Sequence, residues 1–137
     1  RGMQLLSELG LDSLQGHRFR TLSAGEQRRV LLARSIMANP ELLISDEACS
    51  GLDLPAREQF LRILSTLVAE QQTPSIYVSH QIAELLPFIT HVAILLEGKM
   101  IHAGPKHKVL TDDILSDVFG LSVQVVWKDD RPWVMVR

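Results

Sequence analysis

Two short β-type segments, separated by a helix-type pattern of apolar side chains, each end directly at ionisable residues. The apolar run 42–44 leads into Asp46 and Glu47, and the β-rich run 75–79 leads into His80. This strand–helix–strand order predicts an α/β layer with a parallel sheet. Since active groups in such sheets lie at the carboxyl ends of the strands, we expect the two acids and the histidine at one edge.

The segments on either side of this unit also follow familiar secondary-structure patterns. Ser23, followed three residues later by Glu26, forms the capping-box pattern of a helix start, and Asn39-Pro40 predicts the end of that helix. Near the C-terminus, Trp127 and Trp133 are expected to form a cross-strand aromatic pair in a hairpin. Four other elements are predicted. They are a short helix over residues 3–9, a pair of strands over 91–97 and 100–103, a helix capped by Thr111 over 112–119, and the hairpin itself over 123–127 and 133–136.

Composition excludes several classes of protein. Of the 137 residues, 46% are hydrophobic and 22% are charged, which is typical of a globular chain and not of a disordered one. The net charge of −2 argues against nucleic acid as a partner. The longest apolar run, 92–96, is far shorter than the ~20 residues that cross a bilayer, so we expect no direct membrane insertion. The single cysteine, Cys49, fits a reducing compartment and is interpreted as a packing residue.

The acids after the first strand have two interpretations. A strand-end aspartate such as Asp46 suits Mg²⁺ bound with a nucleotide, and the adjacent Glu47 suits polarisation of an attacking water. Alternatively, the strand simply ends in two solvated acids. The pair alone does not separate these alternatives.

A second group of residues lies at the predicted helix start. Ser23 offers a hydroxyl group, while Ala24 and Gly25 leave their backbone amides accessible, and free amides at a helix N-terminus favour phosphate. The alternative is that Ser23 and Glu26 serve only as the helix cap.

Taken together, these segments resemble the motifs of ABC-type ATPases. Residues 22–27, Leu-Ser-Ala-Gly-Glu-Gln, resemble the LSGGQ signature, with Ala24 in place of its first glycine and Glu26-Gln27 in place of its glutamine. Residues 42–47 resemble the Walker B strand with its catalytic glutamate, residues 50–53 the D-loop, and His80 the H-loop histidine. Four motifs in the family's order are far more specific than any one of them.

One motif of this family is absent from the sequence. The family's phosphate-binding loop, G-x-x-x-x-G-K-[ST], does not occur: the only Gly-Lys is Gly98-Lys99, and Ala93 stands where the first glycine would fall. The Q-loop is missing as well. Together with a first residue, Arg1, that is not methionine, this leads us to expect the C-terminal part of a longer domain. We therefore expect apolar surface that is exposed or shared with another copy, or a fold rearranged around the gap, and no Glu47-dependent ATP hydrolysis by these residues alone.

The fold implied by the resemblance is α/β. It is a P-loop NTPase-like parallel sheet with flanking helices, truncated at the N-terminus, together with a helical signature segment and a C-terminal β-hairpin. Within one partial ABC ATPase domain, residues 1–40 are expected to form the signature helical region. Residues 41–105 are expected to contain the Walker B to H-loop core and the following strands, and residues 106–137 the C-terminal helix and hairpin.

The resemblance further implies roles for named residues. Two such domains pair head to tail, so that the signature of one contacts ATP held by the other. Asp46 is expected to organise Mg²⁺, Glu47 to polarise water, and His80 to contact the γ-phosphate. The expected nucleotide-binding residues are those of the signature, together with the D-loop aspartate that couples the two sites: Ser23, Ala24, Gly25, Glu26, Gln27 and Asp53.

The implied function is coupling of ATP hydrolysis to solute import. Residues 104–120 and the hairpin after them are similar to ATPase subunits of bacterial importers for iron–siderophore, haem, cobalamin or molybdate. Expected partners are a second ABC ATPase domain and an integral membrane permease, which would hold the protein at the cytoplasmic face of the membrane. A soluble ABC ATPase of translation or DNA repair is one alternative. Two features argue against it: the D-loop lacks the Asn-His form of the translation type, and the chain lacks the coiled-coil heptads of the repair type. A non-catalytic dimerisation fragment is another.

Overall fold

A computed structural model of the chain describes residues 2–137. The chain forms two compact units, with the boundary between His80 and Gln81. The predicted divisions after residues 40 and 105 separate groups of motifs and not compact units, and they stay predictions. Among the described helices, none is both long enough and apolar enough to span a bilayer.

The first unit contains three helices and one pair of strands. Its elements are α1 (Gly2–Glu8), α2 (Ala24–Met37), β1 (Leu43–Asp46), α3 (Leu54–Gln71) and β2 (Ser75–Val78), with single 3₁₀ turns at Asp12–Leu14 and Phe19–Thr21. Side-chain caps define two of the helix starts. Ser23 caps α2 in a complete capping box, as predicted, and Asp53 caps α3 by accepting a hydrogen bond from the Ala56 N–H at 2.9 Å.

The predicted parallel pairing of the two strands is confirmed. β1 and β2 pair with Ile44 opposite Ile76 and Asp46 opposite Val78, so both strands end at the same edge. The apolar side chains that α3 buries are Phe60, Leu61, Leu64 and Leu67.

Only one face of this sheet is covered. Leu43 is buried, but Ile44 on the opposite face is 61% exposed and Ile76 is 50% exposed. Side chains alternate along a strand and this two-stranded sheet packs on one side only, so both isoleucines stay exposed. Exposed apolar surface, one of the expected alternatives, is therefore present at this face.

The second unit consists of two antiparallel hairpins and two helices. Its elements are β3 (His91–Leu96), β4 (Lys99–Pro105), α4 (Lys106–Val109), α5 (Asp112–Phe119), β5 (Val123–Lys128) and β6 (Arg131–Val136). Thr111 caps α5 by accepting a hydrogen bond from the Ile114 N–H, as predicted. Leu110, Leu115 and Val123 form the core of this unit.

The expected cross-strand tryptophan pair is wrong. Trp127 lies opposite Pro132, and Trp133 lies opposite Val126, so the two indoles point to opposite faces of the hairpin. Each ring packs on a different cationic or titratable side chain. The His107 ring is 4.0 Å from Trp127 between centroids, and the Arg131 guanidinium is 4.8 Å from the Trp133 ring.

Candidate functional site

The start of α2 presents hydrogen-bond donors to solvent. The Ser23 N–H donates to Glu26 Oε2 at 2.7 Å, and the Glu26 N–H donates to Ser23 Oγ at 3.3 Å. The next two amides, of Ala24 and Gly25, come too early in the helix to have a carbonyl four residues before them within it. Two backbone N–H groups and the Ser23 hydroxyl hydrogen therefore remain available for an anion at this helix start.

Glu26 adds a negative charge at the same place. The hydrogen bond from the Ser23 backbone N–H lowers the pKa of Glu26, with a smaller contribution from the Ser23 side chain. The carboxylate is therefore ionised at neutral pH. It stabilises the cap, but it also repels an anion that approaches the neighbouring amides.

The side chain of Gln27 folds back onto the chain before the helix. Its Nε2 donates to the carbonyl oxygens of Phe19 and Leu22, both at 3.1 Å. An amide nitrogen has two hydrogens, so both donors are used within the protein, and only the acceptor Oε1 remains. The side chains of Glu26 and Gln27 thus contact the backbone of their own chain.

Gly25 lies against the start of α3. A Cβ at this position would be 3.3 Å from the Cβ of Ala56, tighter than most real contacts between such atoms. The missing side chain therefore lets the first turn of α2 approach the first turn of α3, three residues after Asp53. This contact couples the signature segment to the segment that resembles the D-loop.

The second group of candidate residues lies at the shared edge of β1 and β2. The Glu47 N–H donates to the Val78 carbonyl at 2.9 Å, which extends the strand pairing by one residue. Glu47 Oε1 and His80 Nδ1 are 2.8 Å apart, and both side chains are accessible to solvent. The structure therefore joins two residues that are 33 positions apart in sequence.

Glu47 also has an unusual backbone conformation. Its φ is +49°, in the left-handed region that residues with a side chain rarely adopt. The cost is about 1 kcal/mol for an L-residue. Strain of this kind is concentrated at functional sites, where the surrounding hydrogen bonds hold it in place.

Asp46 and Asp53 complete the predicted set. Asp46 is exposed at the end of β1, and its carboxylate forms no hydrogen bond or ion pair with a described residue. Asp53 is engaged as the cap of α3. No hydrogen bond between described residues joins the helix-start group to Asp46 or Glu47, so the predicted residues form two groups within the first unit.

Within residues 2–137, no cluster of three or more His, Cys, Asp or Glu side chains could hold a metal ion by itself. Cys49 is buried, and its sulfur accepts a hydrogen bond from the Tyr77 hydroxyl at 3.3 Å, consistent with a packing residue. Sequence reasoning missed Ala56 and the Phe19 carbonyl. No local pattern indicates either, because both act through contacts between segments.

Comparisons with known proteins find relatives among ABC transporter ATP-binding proteins. Residues 2–50 match the family model described as ABC transporter. The chain is 40% identical over 135 residues to the ABC transporter ATP-binding protein YlmA of Bacillus subtilis, an alignment that covers 98% of this chain and 51% of that protein. It is 39% identical over 134 residues to the molybdenum import ATP-binding protein ModC of a Shewanella species, covering 98% of this chain and 33% of that protein.

The same likeness is seen in three dimensions. The chain superposes with a TM-score of 0.81 on a metal-chelate type ABC transporter in an inward-facing conformation, at 25% identity, over 99% of this chain and 55% of that one. The fold is also that of an ATP-binding cassette of an ABC transporter, with a TM-score of 0.75 at 22% identity, over 86% of this chain and 48% of that one. The chain spans about half the length of the curated relatives named first among its matches.

Proposed function

We propose that this chain, which is similar to ABC transporter ATP-binding proteins, forms part of a subunit that couples ATP hydrolysis to solute import. The observation that supports this best is the hydrogen-bonded pair of Glu47 and His80 at the ends of two parallel strands. Such an edge is where catalytic groups of α/β sheets are found.

The chemistry of the available groups fits a nucleotide with its metal ion. The Ser23 hydroxyl and the amides of Ala24 and Gly25 suit phosphate oxygens. Asp46, an exposed carboxylate with no other described partner, suits Mg²⁺, which keeps several waters and needs only one or two carboxylates besides phosphate oxygens. When bound, Mg²⁺ neutralises charge that develops on the phosphates.

The contact between Glu47 and His80 fixes the proton on the imidazole. A carboxylate can only accept, so His80 Nδ1 donates to Glu47 Oε1, and this hydrogen bond orients the ring. We propose that the ring held in this way contacts the γ-phosphate.

Glu47 would then act on water. Its Oε1 is held by His80, and its other oxygen can accept a hydrogen bond from the water that attacks the phosphate. The strained backbone of Glu47 and its hydrogen bond to Val78 hold the carboxylate at the strand edge. General-base assistance of this kind contributes about 10²- to 10⁴-fold to a rate.

The proposed assembly is a head-to-tail pair of ABC ATPase domains bound to an integral membrane permease. In it the Ser23 group of one domain faces nucleotide held by the other. The pair would lie at the cytoplasmic face of the membrane, attached through the permease. The transported solute need not contact this subunit, so import is proposed without a named cargo.

The test uses the full-length protein with Glu47→Gln. We expect ATP hydrolysis to fall by at least about 100-fold while ATP stays bound, because the variant keeps the shape of the side chain and loses its basicity. Glu41→Gln, at an exposed position, is the matched control. Unchanged turnover in the Glu47 variant would remove this residue from the catalytic role.

A second measurement separates a transporter subunit from a soluble ATPase. Full-length protein extracted from its native membrane in mild detergent should co-purify with an integral membrane protein. Recovery with ribosomes or DNA instead would favour the soluble alternative.

A further inference from the structure

We propose that Gln27 is a positioning residue, which holds the segment before Ser23 in the geometry needed for phosphate binding. The proposal rests on the proposed function, since it concerns the same helix start. By resemblance Gln27 belongs to the nucleotide-binding set, but the direction of its side chain assigns it a different task.

Both hydrogens of the Gln27 amide are used inside the protein. They point to two carbonyl oxygens, of Phe19 and Leu22, at equal distances of 3.1 Å. The opposite orientation of the amide would place Oε1 against two acceptors, so Nε2 must occupy this position. A phosphate offers only acceptors at neutral pH, and the remaining Oε1 has nothing to donate to it. Gln27 in this conformation therefore acts on the nucleotide only through other groups.

The segment that Gln27 holds leads directly into the helix start. It runs from the 3₁₀ turn Phe19–Thr21 to Leu22, the residue immediately before Ser23. Inside it the Leu22 N–H donates to the Phe19 carbonyl at 3.2 Å, a bond within the turn itself. The two bonds from Gln27 instead tie the turn to α2. Loss of these bonds frees the backbone on which the Ser23 hydroxyl and the neighbouring amides depend.

Two substitutions isolate the donor function. Gln27→Glu keeps the size of the side chain but faces two carbonyl oxygens with a carboxylate, which repels them. Gln27→Leu keeps bulk without any donor. Gln59→Glu, the same chemical change at an exposed position of α3, is the matched control.

The experiment measures ATP hydrolysis by the full-length protein and hydrogen exchange of its backbone amides. We expect kcat to fall about 10-fold in Gln27→Glu and Gln27→Leu, since a displacement near 1 Å at a catalytic contact can cost more than this. The Kd for ATP should stay near that of the parent, because in the proposed assembly the nucleotide is held by the other domain and the Ser23 group only completes its site. Exchange in residues 19–25 should become faster in the same two variants.

Two outcomes would overturn the proposal. One is a kcat of Gln27→Glu equal to that of Gln59→Glu. The other, which also decides the matter if Gln27→Glu does not fold, is a parent-like kcat in Gln27→Leu. Glu47→Gln measured in the same assay keeps the two ideas apart. Retained turnover in that variant contradicts the proposed function, whereas its loss together with a fully active Gln27→Leu contradicts only the positioning role.

Discussion

Replacing Gly25 with alanine sets a favourable backbone effect against a steric one. Alanine is better than glycine inside a helix by about 1 kcal/mol. The new methyl group, however, would lie 3.3 Å from the Ala56 methyl, and carbon atoms prefer about 3.5–4.0 Å. A methyl group cannot turn away into another rotamer, so the two helix starts must separate by a few tenths of an ångström. Overpacking of this kind costs about 1–3 kcal/mol. We expect a net loss of about 1 kcal/mol.

A double-mutant cycle identifies the contact. Urea unfolding of the full-length protein, followed by circular dichroism, is measured for the parent, Gly25→Ala, Ala56→Gly and the double variant. Removal of the Ala56 methyl group opens the space, so Gly25→Ala should be destabilising in the parent background and stabilising in the Ala56→Gly background. An equal effect of Gly25→Ala in both backgrounds would refute the steric argument.

Three further changes test the caps and the buried amine. Because the pKa of Glu26 is lowered, its carboxylate stabilises the fold above the ordinary glutamate pKa and loses this effect as the pH falls through the lowered value. The melting temperature should therefore fall less between about pH 7 and about pH 3 in Glu26→Gln than in the parent. An unchanged pH profile would contradict the cap. Lys106→Met should cost about 2 kcal/mol in urea unfolding, because it removes the donor for the carboxylate of Asp130 and for two backbone carbonyls; a loss within error of zero would refute this. Thr111→Ala should cost about 1 kcal/mol and Thr111→Ser much less, whereas equal losses would exclude the capping bond as the cause.

Local patterns predicted much of this structure correctly. The capping box at Ser23, the cap at Thr111 and the parallel pairing of the strands before Glu47 and His80 each depend on residues close in sequence or on a simple topological rule. The residues that meet at the sheet edge followed from that rule, since parallel strands place their carboxyl ends together.

What the sequence could not predict depends on contacts between segments. Trp127 and Trp133 could pair only around a turn with an odd number of residues. The turn has two, Asp129 and Asp130, so the register brings Pro132 opposite Trp127 instead. The use of Gln27 as a backbone clamp depends on how the 3₁₀ turn before α2 folds back. Composition alone gives no sign of it.

The burial of Lys106 is the clearest exception to the rule that charged side chains lie at the surface. Lysine is among the residues that are least often buried, and the four-residue helix α4 that begins with it has no apolar period to reveal it. Its side chain is only 5% exposed, and its hydrogen bond to Asp130 is the main reason that the pKa of that carboxyl lies below its usual range. The fold tolerates the charge because the amine has three oxygen partners.

Those three partners come from two distant parts of the second unit, the carbonyl of Pro87 and the turn at Asp130. Neither part can open by itself without leaving an ammonium group short of acceptors in a nearly dry site. Fraying of the C-terminal hairpin is thereby linked to loosening of the chain before β3. One buried amine makes the second unit respond to local opening as a single cooperative body, so its slowest-exchanging amides should share one opening free energy.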